Sequence, residues 1–224
     1  MEFGCLPSPL RRTVIFDFDG VLTDTLPEML RFSDQVCAEL GYQLTTTPED
    51  IRGLSHMSFD QLARRLGIAE ALVPQYVQKI LQRFEESPIT FSPIKGMEEV
   101  IRELSADSVL AIVSGNLRQV IRRFLEKYHL AQYFWRIEGI DQIGSKQEKI
   151  LKIRQQIPLS LPTFMVGDAA SDVLAAKEAG AVSVAVAWGH QDLEKLRQAQ
   201  PDFLVENPQE LIRLLRSNTS PFSK

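Results

Sequence analysis

Short apolar runs recur along this chain with helical patterns between them. Residues 13–18 read TVIFDF, 109–113 read VLAIV, 163–167 read TFMVG, 182–188 read VSVAVAW and 202–205 read DFLV. Runs this short, apolar on both faces and rich in β-branched or aromatic residues, suit strands buried inside a parallel sheet. Between them apolar residues recur at helical spacing from Met97 to Leu104, Leu117 to Tyr128, Lys146 to Gln155 and Asp172 to Ala179. A last helix is expected over 208–215, with Pro208 in its first turn. Strands alternating with helices of about ten residues dictate an open, mainly parallel α/β sheet.

The alternation fails between residues 25 and 88. Leu26, Leu30, Ser33, Cys37 and Leu40 make one helical stripe, Phe59, Leu62, Ala63 and Leu66 a second, and Leu72, Val73, Tyr76, Ile80 and Phe84 a third. Gly41, Gly53 and Gly67 punctuate them. The segment is too long for a plain crossover. The expectation is an α/β core formed by 1–24 and 89–224, with a small all-helical insert over 25–88. Its two connections should pass the mouth of the sheet, since the first run ends at Gly20 and the chain returns near Pro93.

A formal charge of −4 over 224 residues, with basic residues interspersed among acids, points away from a nucleic-acid partner. No apolar run approaches the roughly 18 residues of a membrane span. Cys5 and Cys37 form neither a metal-site spacing nor a disulfide framework. These features lead to the expectation of a cytoplasmic protein, monomeric or homodimeric.

The chemistry collects at strand ends. Asp17 and Asp19 close the first run, and period two puts both carboxylates on one side of Phe18. Gly20 then allows a sharp turn. Asp168 leaves the third run and Asp172 lies near the start of the next helix. Ligands in open α/β sheets gather beyond the carboxyl ends of the strands, so the four carboxylates are expected to converge. Such a set is costly without a cation, and an all-oxygen site with room for water suits Mg²⁺. The second run ends in Ser114-Gly115-Asn116, where a hydroxyl, a flexible glycine and free N–H groups can cradle an anion; Ser114 can equally cap the next helix. Ser145 and Glu148 fit a capping box, placing Lys146 at the first helical position, at the same end of the sheet.

These elements resemble the phosphatase branch of the haloacid dehalogenase-like superfamily. DFDGVLTD at 17–24, VSGN at 113–116, Lys146 and GDAASD at 167–172 are similar to its four signatures, in order. The resemblance implies a Rossmann-like core with a C1 helical cap inserted between the first two signatures. It implies that Asp17 attacks phosphorus to form an aspartyl phosphate and that Asp19 protonates the leaving oxygen, then activates water. It also implies that Mg²⁺ is held by Asp17, Asp168 and the backbone carbonyl of Asp19, with Asp172 orienting the set. Ser114, Gly115 and Asn116 would grip the phosphate, and Lys146 would balance its charge.

Within the superfamily the chain resembles the phosphoglycolate phosphatase and beta-phosphoglucomutase-like groups. The retained Asp19 points to phosphoryl chemistry rather than dehalogenation. Met29 and His56 stand where mutases of that group place a histidine and an arginine, which favours hydrolysis of a small phosphorylated metabolite over a sugar phosphomutase. A phosphate-binding scaffold without activity is a third reading, disfavoured by the intact signatures. Arg52 and His56 are the cap candidates for substrate contact. His129, His190 and Trp188 read as structural or exposed.

Overall fold

Strand β1 (Arg12–Phe16) lies at the centre of a six-stranded sheet and is buried along its whole length. The computed structural model describes residues 10–54, 57–158 and 160–217; Cys5 and His56 lie outside them. β2 (Ser108–Val113), β3 (Phe134–Glu138), β4 (Thr163–Gly167), β5 (Val182–Val186) and β6 (Phe203–Val205) complete the sheet. The order is β3-β2-β1-β4-β5-β6 and every pairing is parallel. This is the doubly wound, Rossmann-like arrangement, in which the strand order reverses beside β1.

Period two sorts β1 between two cores. Val14 and Phe16 join one apolar cluster with α5 (Met97–Leu104), α6 (Arg118–Lys127) and α10 (Pro208–Ser217). Ile15 points the other way and packs with Ile150 and Ile153 of α7 (Lys146–Gln155) and Ala175 and Ala176 of α8 (Ala170–Glu178). A strand covered on both faces must be apolar throughout, which is why its sequence reads as an unbroken run.

Two elements depart from the sequence expectation. β3 was absent from it. Its sequence FWRIE neither alternates nor runs apolar, because it is an edge strand whose pairing with β2 shifts register between Leu110 and Ala111. A bulge breaks the period on which strand detection depends. The fifth strand stops at Val186 rather than Trp188, after which the Ala187 N–H donates to the Val205 carbonyl. A short helix α9 (Leu193–Gln198), capped by Asp192, follows.

Between β1 and α5 lie α1 (Leu26–Glu39), α2 (Pro48–Arg52), α3 (Phe59–Arg65) and α4 (Val73–Glu86). These form a helical cap. Phe32 on α1 meets Phe84 on α4 edge to face at 4.9 Å. The Ser33 hydroxyl shares hydrogen bonds with Tyr76 at 2.7 Å and Thr46 at 2.6 Å, so the cap's buried polar atoms satisfy one another. The two chain crossings run side by side: Thr23 Oγ1 donates to the Ser92 carbonyl at 2.7 Å, and the Ile94 N–H to the Leu22 carbonyl at 2.9 Å. Among the described residues, no helix is long and apolar enough to cross a membrane.

Below the crossings, Phe124 packs edge to face on Phe18 at 5.1 Å and stacks on Phe91 at 5.6 Å. Phe18 is the residue between the first two aspartates, so this aromatic cluster fixes the loop that carries them. Phe124→Ala should lower unfolding free energy by about 3–5 kcal/mol in a denaturant titration. A loss below about 1 kcal/mol would show that the cluster does not anchor the loop.

Candidate active site

The carboxyl ends of β1, β2 and β4 open onto one cavity of about 270 Å³. Asp17 follows β1 directly, and its N–H continues the ladder to the Val166 carbonyl at 2.8 Å. Its Oδ1 accepts the Phe18 N–H at 2.7 Å. Asp168 follows β4, and its Oδ2 accepts the His190 N–H at 2.7 Å. Asp172, in the first turn of α8, accepts the Ala169 N–H at 3.1 Å. Asp17, Asp168 and Asp172 are all buried, and each offers one oxygen within 4.8 Å of the others'.

Glycines make the room. Gly20 has φ +74°, a conformation that disfavours side chains, and a Cβ there would overlap the Asp168 carboxylate. A Cβ on Gly189 would overlap the same residue, and one on Gly167 would overlap Asp172. The carboxylates are therefore pressed against bare backbone on three sides.

Lys146 is the first residue of α7, and Ser145 and Glu148 form the expected capping box. Its ammonium donates to Asp17 Oδ2 at 2.9 Å and to Asp172 Oδ1 at 2.5 Å. Burial works against the lysine's charge, yet the two carboxylates outweigh it and raise its pKa. One ammonium is bonded to two of three buried carboxylates, which leaves negative charge that no cation among the described residues balances. Burial pushes Asp168 up to about 6. It also raises Asp172, with Asp17 and Asp168 adding to the effect against Lys146. A buried, all-oxygen, charge-deficient cluster fits a hard divalent cation.

Asp19 is set apart from this trio. Its carboxylate accepts from Thr25 Oγ1 at 2.7 Å and from Asn116 Nδ2 at 3.1 Å, with the Ser114 hydroxyl at 3.5 Å. Burial first, then the Asp17 charge, raises its pKa. Ser114 is not the cap of α6, whose N-cap is Leu117. Its Oγ accepts the Asn116 N–H at 3.0 Å instead, and Asn116 Oδ1 accepts the Leu117 N–H at 2.8 Å. Gly115 lines the cavity with open space beside it.

Asp17, Asp19, Asp168, Asp172, Lys146 and Gly115 thus reach one cavity. Arg52 does not: its guanidinium pairs with Glu49 at 3.1 Å on the exposed face of α2. His190, expected to be structural or exposed, lines the cavity with 5% of its surface exposed and places Nε2 3.1 Å from Asp24. Burial lowers its pKa, but Asp24, Asp168 and Asp19 outweigh that and raise it. Gln191 accepts the Ala170 N–H at 2.6 Å and donates to the Leu54 carbonyl at 3.0 Å, joining the cap to the start of α8. The signal for both was their place after β5, at the active end of the sheet.

The model of the haloacid dehalogenase-like hydrolase family matches residues 14–186. A phosphoglycolate phosphatase of Synechococcus elongatus is 29% identical over 204 residues, covering 90% of this chain and 96% of the relative. A pyrophosphatase of Listeria monocytogenes is 28% identical over 211 residues, covering 91% and 96%. The crystal structure of a predicted phosphatase from Clostridium acetobutylicum superposes with a TM-score of 0.81 at 20% identity, covering 93% of this chain and 99% of that one. The chain belongs to the haloacid dehalogenase-like hydrolases, in their phosphatase branch, and resembles the phosphoglycolate phosphatase group. It is a hydrolase with an aspartate-based site for a phosphorylated substrate.

Asp168 gives a pH signature. Its pKa moves from 3.8 to about 6 on folding, so the folded chain holds this proton more tightly than the unfolded chain. The group's contribution to stability is lost as pH rises from about 4 to about 6. A divalent cation at roughly 100-fold above its Kd should raise Tm by about 5–10 °C near pH 7.5 and by less near pH 5. In Asp168→Asn the cation response should vanish. An unchanged response in that variant would remove Asp168 from the cation site.

Proposed function

We propose that this protein is a Mg²⁺-dependent phosphomonoester hydrolase that works through an aspartyl phosphate on Asp17. The observation that carries the reading is the convergence of Asp17, Asp168 and Asp172 within 4.8 Å, beside a lysine bonded to two of them. Asp17, Asp168 and Asp172 would hold Mg²⁺, joined by the Asp19 carbonyl. The cation lowers the repulsion between an anionic nucleophile and an anionic phosphoryl group.

Asp17 Oδ1 is held by the Phe18 N–H and Oδ2 by Lys146, so the nucleophile is fixed before substrate arrives. In the first step an Asp17 oxygen bonds phosphorus while the bond to the leaving oxygen breaks. Asp19 gives that oxygen its proton. A raised pKa suits Asp19 to carry a proton, and Thr25 and Asn116 aim its carboxyl group. In the second step Asp19 takes a proton from water, whose oxygen attacks phosphorus and frees Asp17. Lys146 would offset negative charge on Asp17 and the phosphoryl group, and Gly115, which lines the cavity, would meet the phosphoryl oxygens, with Ser114 and Asn116 behind it around Asp19.

In this reading 1–24 with 89–224 form the catalytic core and 25–88 the lid, in a cytoplasmic enzyme. Kinship with phosphoglycolate phosphatases supports ester hydrolysis. Met29 lining the cavity supports hydrolysis over sugar-phosphate transfer, because a thioether offers a sugar little to bind. A panel of phosphomonoesters should release phosphate with Mg²⁺ and none with excess chelator. Asp17→Asn should abolish turnover, and Asp19→Asn should slow it about 10²- to 10⁴-fold. Turnover that survives chelation, or an active Asp17→Asn variant, would refute the mechanism.

A further inference from the structure

The cavity has two unlike ends. Its floor is the carboxylate cluster with Lys146. Its cap wall is built from Met29 on α1, Ile51 on α2, Leu54, Met57, Leu62 on α3 and Val77 on α4. The Phe59 ring completes the wall, and the only charged cap group among the described lining residues is Asp60.

The cap contains six lysine and arginine side chains, Arg31, Arg52, Arg64, Arg65, Lys79 and Arg83, and one histidine, His56, which lies outside the described residues. None of the six lines the cavity. Arg31 lies over the Phe32 ring. Arg52 pairs with Glu49, Arg65 with Asp50, and Lys79 and Arg83 with Glu39. Arg64 is shared between Asp60 at 2.5 Å and Glu70 at 2.9 Å. On the core side, Lys146 is bonded to Asp17 and Asp172, and His190 faces Asp24. Among the described lining residues, the cationic groups are thus Lys146, bonded to two carboxylates, and His190, which faces Asp24.

This distribution decides what can sit above the transferred phosphoryl group. Lys146 and a bound divalent cation would together balance the three floor carboxylates. No described residue of the cap wall offers a second anion a positive charge. A carboxylate or second phosphate on the leaving group would be desolvated against apolar side chains and would share the cavity with Asp60. An uncharged apolar group would instead exchange water for the same side chains and gain by it.

We infer that the substrate is a phosphomonoester whose leaving alcohol is uncharged and apolar, seated on the cap wall between α1, α3 and α4. The inference rests on the hydrolase reading above and sets this chain apart from an enzyme for phosphoglycolate or pyrophosphate, each of which carries a second anion. The chemistry is unchanged: water supplies the oxygen, and the products are inorganic phosphate and the alcohol.

The test is steady-state kinetics on the full chain with Mg²⁺, using 2-phosphoglycolate, pyrophosphate, n-propyl phosphate and benzyl phosphate. Phosphoglycolate and n-propyl phosphate both release a primary alkoxide, so charge on the leaving group is the main difference between them. The two uncharged esters should exceed phosphoglycolate and pyrophosphate in kcat/KM by at least tenfold. Val77→Lys should shift the phosphoglycolate to propyl phosphate ratio toward phosphoglycolate by tenfold or more, and Met57→Lys provides the same readout at a second wall position. Phosphoglycolate turned over as well as propyl phosphate by the unaltered protein would overturn the inference while leaving the hydrolase reading intact. No turnover of any of the four would overturn both.

Discussion

Three buried carboxylates within 4.8 Å of one another set the terms for the rest of this protein. Their mutual repulsion and loss of water would disperse them unless the scaffold held them by force of geometry. The scaffold does so with strand ends. β1 and β4 are adjacent and parallel, so the first residues beyond Phe16 and Gly167 emerge side by side. Backbone N–H groups from Phe18, Ala169 and His190 each take one carboxylate oxygen, and Lys146 spans two of the residues. Glycines at 20, 167 and 189 let the carboxylates approach backbone that any side chain would block. The unbalanced negative charge is what fits the cluster to hold a divalent cation.

The sheet explains why the neighbouring groups arrive at the same place. Strand order reverses beside β1, which leaves a crevice at the carboxyl ends of the central strands. β2 delivers Ser114 and Asn116 beside Asp19, and α7 delivers Lys146. Thr25, at the entrance to the cap, also reaches Asp19. The acid/base candidate is thus oriented from both the core and the start of the insert. Gln191 and Lys195 both donate to the Leu54 carbonyl, tying the far side of the cap to the loop after β5. The cap is bonded to the core on either side of the cavity it covers.

Much of this was legible in the sequence because the central strands are buried on both faces and announce themselves as apolar runs. The aspartates follow those runs directly, so strand position alone brought Asp17 and Asp168 together. The capping box at Ser145 located Lys146 for the same kind of reason: a local rule with a local signal. What was not legible depended on long-range geometry. β3 is an edge strand with a register shift, so its residues lack a period. His190 and Gln191 sit in the loop after β5, placed by long-range bonds to Asp168, Ala170 and the Leu54 carbonyl of the cap. Arg52 shows how a side-chain partner escapes sequence reading: Glu49, three residues earlier, takes its guanidinium, and it does not line the cavity.

The central claim is that Asp17, and not its neighbour two residues on, receives the phosphoryl group. A crystal structure with Mg²⁺ and beryllium fluoride tests it most directly, because the fluoride mimics a phosphoryl group bound to a carboxylate. The account predicts tetrahedral beryllium density joined to an Asp17 carboxylate oxygen, with the cation touching Asp17 and Asp168. Density joined to Asp19, or a cation remote from Asp168, would contradict it.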